Sequence, residues 1–149
     1  MRRIIDTLID NAPAAEAHCD GPCGVYDPAS ARIAAEAGLS MTKKILALTP
    51  PEGGDAAAWA AYNNTMSRYI TIKEEQTHLA KEELLVLWTD YFKPPHFERY
   101  PQLNELFNQA TKLAGAGGTK GSLDPAVADD LLEKIDEIAE IFWETKQAA

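Results

Sequence analysis

Long hydrophobic runs and clustered basic residues are both missing from this sequence. No apolar run approaches the roughly 18 to 20 residues that a membrane-spanning helix needs. Lys and Arg number 14 against 23 Asp and Glu, which gives a formal charge of -9 and a pI near 4.7. Nucleic-acid binding depends on clustered Lys and Arg that displace counterions from phosphates. We therefore expect a protein that neither spans a membrane nor binds nucleic acid.

Cysteine is also scarce, since the 149 residues include only Cys19 and Cys23. A secreted disulfide scaffold uses more cysteines and spreads them along the chain, so this pair favours a reducing compartment, and we expect a cytoplasmic protein. A chain of this length, 46% hydrophobic, can form a core without disulfides or a structural metal. The two thiols are thus expected to be functional, with a short-loop disulfide as the alternative.

The first segment, residues 1–17, superficially resembles a secretory leader because it begins with arginines and ends with small residues. Its apolar residues are interrupted by Asp6, Thr7 and Asp10. A signal peptide needs 7 to 15 apolar residues in its central part, and this segment has no such stretch. We predict a pro-segment that a maturation protease removes by cutting after Ala17.

Helix signals dominate the rest of the chain. Asp27 and Asp124 each precede a proline, which combines a capping carboxylate with a residue suited to the first helical turn. Apolar residues then recur at spacings of three and four, and no strand pattern is present. The predicted fold is all-α, an antiparallel four-helix bundle preceded by an irregular hook at 18–26. The predicted helices span about 28–48, 56–91, 101–114 and 125–146.

Particular residues are predicted to form the buried helix faces. In the first helix these are Ile33, Ala37, Met41, Ile45 and Leu48. In the second they are Trp59, Tyr62, Met66, Tyr69, Ile72, Leu79, Val86 and Leu87. The prolines at 94 and 95 are expected to end the second helix, and residues 115–121 are expected to form a flexible turn.

The segment between the pro-segment and the first helix reads His-Cys-Asp-Gly-Pro-Cys-Gly-Val-Tyr-Asp-Pro over residues 18–28. Gly21, Pro22 and Gly24 impose turns, and two thiols, an imidazole and a carboxylate within six residues are typical of a metal site. An exposed turn that contains two cysteines is the alternative.

A cut after Ala17 would give His18 a free amine in addition to its imidazole. Cys19 would then offer an amide nitrogen and a thiolate, and Cys23 a second thiolate. Two nitrogens and two sulfurs in one plane suit Ni(II) or Cu(II), whereas zinc prefers a tetrahedron. The ligand chemistry leaves both nickel and copper open.

These residues closely resemble the metal hook of nickel-dependent superoxide dismutases. Residues 87–97 and 141–146 also resemble segments of that family. The resemblance runs from His18 to the end of the chain and is weakest between about 39 and 68. It implies a proteolytically matured homohexamer of four-helix bundles that binds one nickel ion per subunit. It also implies that Ni(III)/Ni(II) cycling converts two superoxide ions and two protons into O2 and H2O2.

The same resemblance implies a role for each hook residue. The nickel ligands would be the amine and imidazole of His18, the amide nitrogen and sulfur of Cys19, and the sulfur of Cys23. Asp20 and Tyr26 match positions next to the ligands, and we expect Tyr26 to hydrogen-bond small molecules at the open face of the metal. Pro22 matches a cis-proline that folds the hook.

The positions expected to support the axial imidazole depart from part of the family. Some members place a glutamate and an arginine there, whereas this chain has Ala34 and Gln76. A metal-bound histidine normally donates its second ring N–H to an acceptor. Gln76 is the first candidate for that acceptor, followed by Glu75 and Glu36.

Other polar residues have weaker signals. Lys93 is a candidate for attracting the anionic substrate, with a solvated lysine as the alternative. His96 is expected to be structural or at a subunit contact, or else to line the access channel. Glu75 and His78 have the spacing used by di-iron bundles, but the sequence contains no second copy of this motif.

The competing function is a non-enzymatic nickel or copper carrier that uses the same hook.

Overall fold

The structure, a computed structural model, describes residues 24–147. Its helices are α1 (Ala29–Ala47), α2 (Ala56–Val86), α3 (Pro94–Arg99), α4 (Leu103–Leu113) and α5 (Pro125–Gln147). A π-helical segment, Leu87–Tyr91, continues α2. Helix α1 packs on α2 and α5, and α4 packs on α2 and α5. The prediction of an all-α bundle is confirmed, and the described residues contain no strand.

Three of these helices begin at a capping aspartate. The Oδ1 atom of Asp27 accepts a hydrogen bond from the backbone N–H of Ala29 at 2.8 Å. Asp55 and Asp124 each accept from the N–H two residues further along the chain, at 3.0 Å. These bonds satisfy donors that the first helical turn leaves without partners. The bond from Ala29 to Asp27 also fixes the position of the segment that connects the hook to α1.

Burial along α2 differs from the sequence prediction. Its buried residues are Lys73, Thr77, Ala80 and Leu84, all in the second half of the helix. Trp59 and Leu79, which we predicted to be buried, are 38% and 39% exposed, and Ile33 of α1 is 65% exposed. The helical period in the sequence identifies an apolar face but not how much of that face a neighbouring helix covers.

The two prolines at 94 and 95 end the helical run as predicted and also begin α3, which the sequence analysis did not predict. Proline suits the first turn of a helix because its missing N–H has no partner there. The backbone N–H of Lys93 donates to Nδ1 of His96 at 3.1 Å, which closes this turn. His96 is therefore fixed at the start of α3.

The segment 115–121 forms turns, as predicted, and hydrogen bonds tie it to the bundle. The buried Lys73 donates from Nζ to the backbone oxygens of Lys120 and Ser122, at 2.8 and 2.7 Å. The N–H of Thr119 donates to the oxygen of Leu113 at 2.7 Å. Burial lowers the pKa of Lys73. The glycines of this segment predict a turn, but the sequence does not show that Lys73, on α2, anchors it.

Replacing Gly38 by alanine is expected to destabilise the fold by about 1 to 3 kcal/mol, because α1 and α2 approach closely there. A Cβ at this position would lie 2.7 Å from Oγ1 of Thr77, which is itself held by a 2.7 Å bond to the oxygen of Lys73. Urea unfolding would measure the change. Gly54→Ala is the control, since a Cβ there meets no atom within 4 Å.

A second substitution checks the cause of that loss. Adding Thr77→Ala removes the crowded hydroxyl, so the double variant should lose less stability than the two single variants together. A Gly38→Ala variant as stable as the unmodified chain would contradict the close approach of α1 and α2.

Candidate metal hook and active-site cleft

An open cleft of about 320 Å³ lies where the described chain begins. Four parts of the fold meet there: the segment before α1, the π-helical segment, the start of α3 and the end of α5. The lining residues are Gly24, Tyr26, Asp90, Tyr91, Lys93, His96, Thr145 and Lys146. The predicted hook ends in this segment, so the cleft adjoins the predicted metal donors along the chain.

The segment that leads out of the hook is fixed by a turn and a buried ring. Gly24 has φ +63°, a left-handed conformation that glycine adopts without strain. Tyr26 is 8% exposed, and its ring lies 5.4 Å from that of Tyr91. Asp27 then caps α1. The residues after Cys23 thus hold a defined position against the bundle.

Tyr91 is the central aromatic residue of the cleft. Its ring centroid lies 4.4 Å from that of Phe142 and 4.9 Å from that of Phe92. The ring of His96 stacks on it at 5.8 Å with an interplanar angle of 19°. The phenolic oxygen lies 2.7 Å from Oγ1 of Thr145. Packing from three parts of the fold therefore fixes the orientation of this ring.

The π-helical segment determines which residues reach the cleft. The N–H of Phe92 bonds to the oxygen of Leu87, five residues earlier, at 3.1 Å. Leu87 and Phe92 are 3% and 2% exposed and belong to the core, while Tyr91 lines the cleft. Single π turns recur at functional sites. A 3.6-residue period does not predict this turn, so the sequence predicts ordinary helix up to about residue 91.

Two lysines line the cleft from different elements. Lys93 was predicted from the sequence, whereas Lys146, at the end of α5, was not. Its Nζ lies 5.9 Å from the centroid of Tyr91 and 5.5 Å from that of Phe142, within the range of cation–π attraction. Asp90 is the carboxylate of this lining, and it accepts a bond from Thr89 at 2.9 Å.

The predicted site residues fall into three groups. His18, Cys19, Asp20, Pro22 and Cys23 lie outside the described residues. Tyr26 and Lys93 line the same cleft. Gln76 does not belong to that lining and sits partly buried on α2.

Gln76 and Glu75 lie on α2, and Glu36 lies on α1. These are the supports predicted for the His18 imidazole, and Glu75 is exposed. Glu83 lines a smaller pocket beside Tyr26, and Gln76 lies about 10 Å from it along the helix axis. Glu36 forms an ion pair with Arg32, which also binds Asp136 at 2.8 Å. Ala34 is 1% exposed and contributes a methyl group to the core. Within residues 24–147 the Gln76 amide makes no hydrogen bond, whereas the Glu36 carboxylate is paired with Arg32.

The donor chemistry of the hook fits nickel. Two thiolates, an amide nitrogen, an amine and an imidazole would be available from three residues close in sequence to Gly24. Across residues 24–147, no group of three or more His, Cys, Asp or Glu side chains is arranged to hold a metal ion. The helices in the same range include none long and apolar enough to cross a membrane.

Comparison with known proteins supports the resemblance seen in the sequence. The family model for nickel-containing superoxide dismutase matches residues 13–146. The chain belongs to this family. Among its relatives, the nickel superoxide dismutase of Streptomyces coelicolor is 46% identical over 132 residues, 89% of this chain and 90% of that protein. That of Streptomyces seoulensis is 47% identical over 135 residues, with the same two coverages.

Solved nickel superoxide dismutases share the fold. A native crystal structure superposes with a TM-score of 0.71 at 45% identity, covering 87% of this chain and 99% of the solved chain. A structure with nickel ligation corresponding to the oxidised state gives a TM-score of 0.71 at 47% identity, with the same coverages. Family membership supports the enzyme over the alternative of a metal carrier.

Proposed function

We propose that this chain, processed to begin at His18, disproportionates superoxide at a nickel ion held by the hook. One superoxide ion gives up an electron and leaves as O2, and a second takes up that electron and two protons to become H2O2. The observation that carries the proposal is the cleft at the exit of the hook, where Tyr26, Tyr91, Lys93 and Lys146 meet. One nickel ion per subunit is the cofactor.

The amine and imidazole of His18, the amide nitrogen and sulfur of Cys19, and the sulfur of Cys23 would hold the nickel. Once bound, nickel supplies the one-electron redox chemistry of the reaction. Anionic sulfur and amide donors favour the higher oxidation state of the metal, and this explains why the hook offers them. Asp20 and Pro22 would shape the hook around these donors.

The lysines of the cleft would attract the substrate. Superoxide is an anion, and the chain as a whole carries a formal charge of -9, so attraction has to be local. Among the described lining residues, Lys93 and Lys146 place two ammonium groups in one cleft, against one carboxylate, that of Asp90. Attraction of this kind raises the association rate and weakens as salt is added.

The Tyr26→Phe variant should retain stoichiometric nickel and lose on the order of 10-fold in kcat/KM, the effect of one lost hydrogen bond to a charged species. Its ring is held against Tyr91 and lines the cleft, and we propose that its phenol acts on small molecules bound there. Metal analysis and pulse radiolysis would measure both quantities. Tyr62→Phe is the control, because that ring packs against Trp59 in the first half of α2. Loss of nickel from Tyr26→Phe would contradict a role separate from ligation.

The Gln76→Ala variant should lower turnover by about 10- to 100-fold, the usual effect of removing the acceptor behind a metal-bound histidine. We expect weaker axial nitrogen splitting in the Ni(III) spectrum, with both thiolates still bound. Gln109→Ala is the control, since that amide bonds Glu105 on α4. An unchanged rate and spectrum for Gln76→Ala would transfer the supporting role to a backbone carbonyl or to a glutamate.

Maturation and assembly are the finer parts of the proposal. We propose that residues 1–17 are removed on maturation. The native solved structure covers 87% of this chain, and the uncovered share is large enough to include such a segment. Exposed apolar side chains, including Ile33, Leu46 and Trp143, favour burial between subunits. We expect a homohexamer in the cytoplasm, where thiols stay reduced. Sedimentation analysis of the processed protein tests the assembly.

Reconstitution tests the proposed activity. The chain beginning at His18 should remove superoxide catalytically after loading with nickel and should retain the metal against a chelator. The same chain loaded with copper or zinc should be inactive. A nickel-loaded chain that releases its metal readily and leaves superoxide untouched would overturn the proposal in favour of a carrier.

A further inference from the structure

The hydrogen bonds behind Tyr91 have a defined direction. Oγ1 of Thr145 lies 2.7 Å from the backbone oxygen of Phe142 and 2.7 Å from the phenolic oxygen of Tyr91. A carbonyl oxygen only accepts, so the single hydroxyl proton of Thr145 must point to Phe142. If this proton pointed elsewhere, Oγ1 of Thr145 and the carbonyl oxygen of Phe142 would lie 2.7 Å apart with no proton between them. Thr145 is left as an acceptor, and Tyr91 must be the donor.

This direction limits what Tyr91 can offer to the cleft. A phenol has one proton, and that of Tyr91 is committed to Thr145, so its remaining hydrogen-bonding capacity is that of an acceptor. Thr145 is 6% exposed and lines the same cleft, so the bond is shielded from solvent. The stacked His96 and the packed Phe142 restrict rotation of the ring away from this bond.

We propose that Thr145 is a positioning residue that keeps the Tyr91 hydroxyl proton on Thr145 and unavailable to a bound anion, so that hydrogen bonds to an anion in the cleft come from Lys93 and Lys146. The role in the reaction rests on the proposed dismutase function. A phenol free to donate would bind the anionic substrate and other anions more tightly. Ammonium groups at the mouth of the cleft instead attract anions and remain exchangeable with water.

Tyrosine Raman spectroscopy tests the hydrogen-bond direction without relying on activity. The intensity ratio of the Fermi doublet near 850 and 830 cm⁻¹ distinguishes a phenol that donates from one that accepts. The signal of Tyr91 is obtained as the difference between the processed chain and its Tyr91→Phe variant. A donor-type doublet is expected, and it should be lost in Thr145→Val and kept in Thr145→Ser. An acceptor-type doublet in the unmodified chain would overturn the proposal.

Azide inhibition of the nickel-loaded enzyme tests the functional consequence. Thr145→Val should bind azide about three- to tenfold more tightly, as one additional hydrogen bond would allow, while Thr145→Ser should match the unmodified enzyme. In the Tyr91→Phe background, Thr145→Val should have no effect on azide. Thr111→Val is the control, because the buried Thr111 hydroxyl also donates to helix carbonyls, those of Phe107 at 2.8 Å and Asn108 at 3.2 Å, and has no tyrosine partner among the described residues.

The outcomes separate the two proposals. Unchanged azide inhibition in Thr145→Val, or an equal change in Thr111→Val, would overturn the positioning role. If Thr145→Val does not fold, the doublet of the unmodified chain still decides the direction of the bond. A nickel-loaded chain without dismutase activity would overturn the proposed function and the role in the reaction, whereas the doublet tests the hydrogen bond independently.

Discussion

Cys19→Ser and Cys23→Ser are each expected to abolish dismutase activity while the helices stay folded. A serine hydroxyl is a much weaker donor to nickel than a thiolate, so either change would remove a sulfur that favours the oxidised metal. The described core is formed by residues from Tyr26 onward, and its largest fully buried side chains include Phe107 and Phe142. The bundle should therefore form without the hook thiols.

Circular dichroism, nickel content and superoxide decay would be measured together on each variant. Val25→Ser is the control, since this side chain is 66% exposed in the same segment and is not a metal donor. It should keep both nickel and activity. Near-normal turnover in either cysteine variant would show that this sulfur does not bind the metal.

The uncut chain is expected to be inactive, with a loss of about 100-fold or more relative to the chain beginning at His18. Residues before His18 convert its amine into an amide and remove one donor. Removing a group that only orients a ligand already costs 10- to 100-fold, and losing a donor should cost at least as much.

Three versions of the chain test this requirement. The first begins at Met1, the second at Ala17 and the third at His18. Mass spectrometry verifies each N-terminus before nickel loading, and only the third should be active. The second version differs from the third by a single residue. It therefore distinguishes the loss of the His18 amine from a steric effect of the longer segment. Full activity in the second version would contradict ligation by the amine.

Local signals allowed the helices to be predicted from the sequence. Asp27, Asp55 and Asp124 each accept a backbone hydrogen bond at a helix start. Leu131, Ile135, Ile138 and Phe142 are fully buried along α5, as their spacing indicates. Signals of this kind depend only on neighbours in sequence, so one chain is enough to reveal them.

Features that depend on tertiary contacts were not predictable. Nothing in the local sequence shows that Lys73 anchors the segment before α5, or that the buried residues of α2 all lie in its second half. Thr145 and Lys146 lie more than fifty residues from Tyr91 in sequence and reach it only because α5 ends at the cleft. The proposed metal donors lie within six residues of one another, so the sequence alone suggests them. The cleft was not predictable in this way, because four separate parts of the fold form it.

The most direct test of the central claim is the electron paramagnetic resonance spectrum of the processed, nickel-loaded chain. We predict a rhombic Ni(III) signal with hyperfine splitting from one axial nitrogen. The chain has three histidines, so ¹⁵N-histidine labelling should change this splitting, and the change should persist when His78 and His96 are replaced by glutamine. A spectrum without a Ni(III) signal, or with a splitting that disappears with His78 or His96, would contradict nickel binding by His18 in the hook.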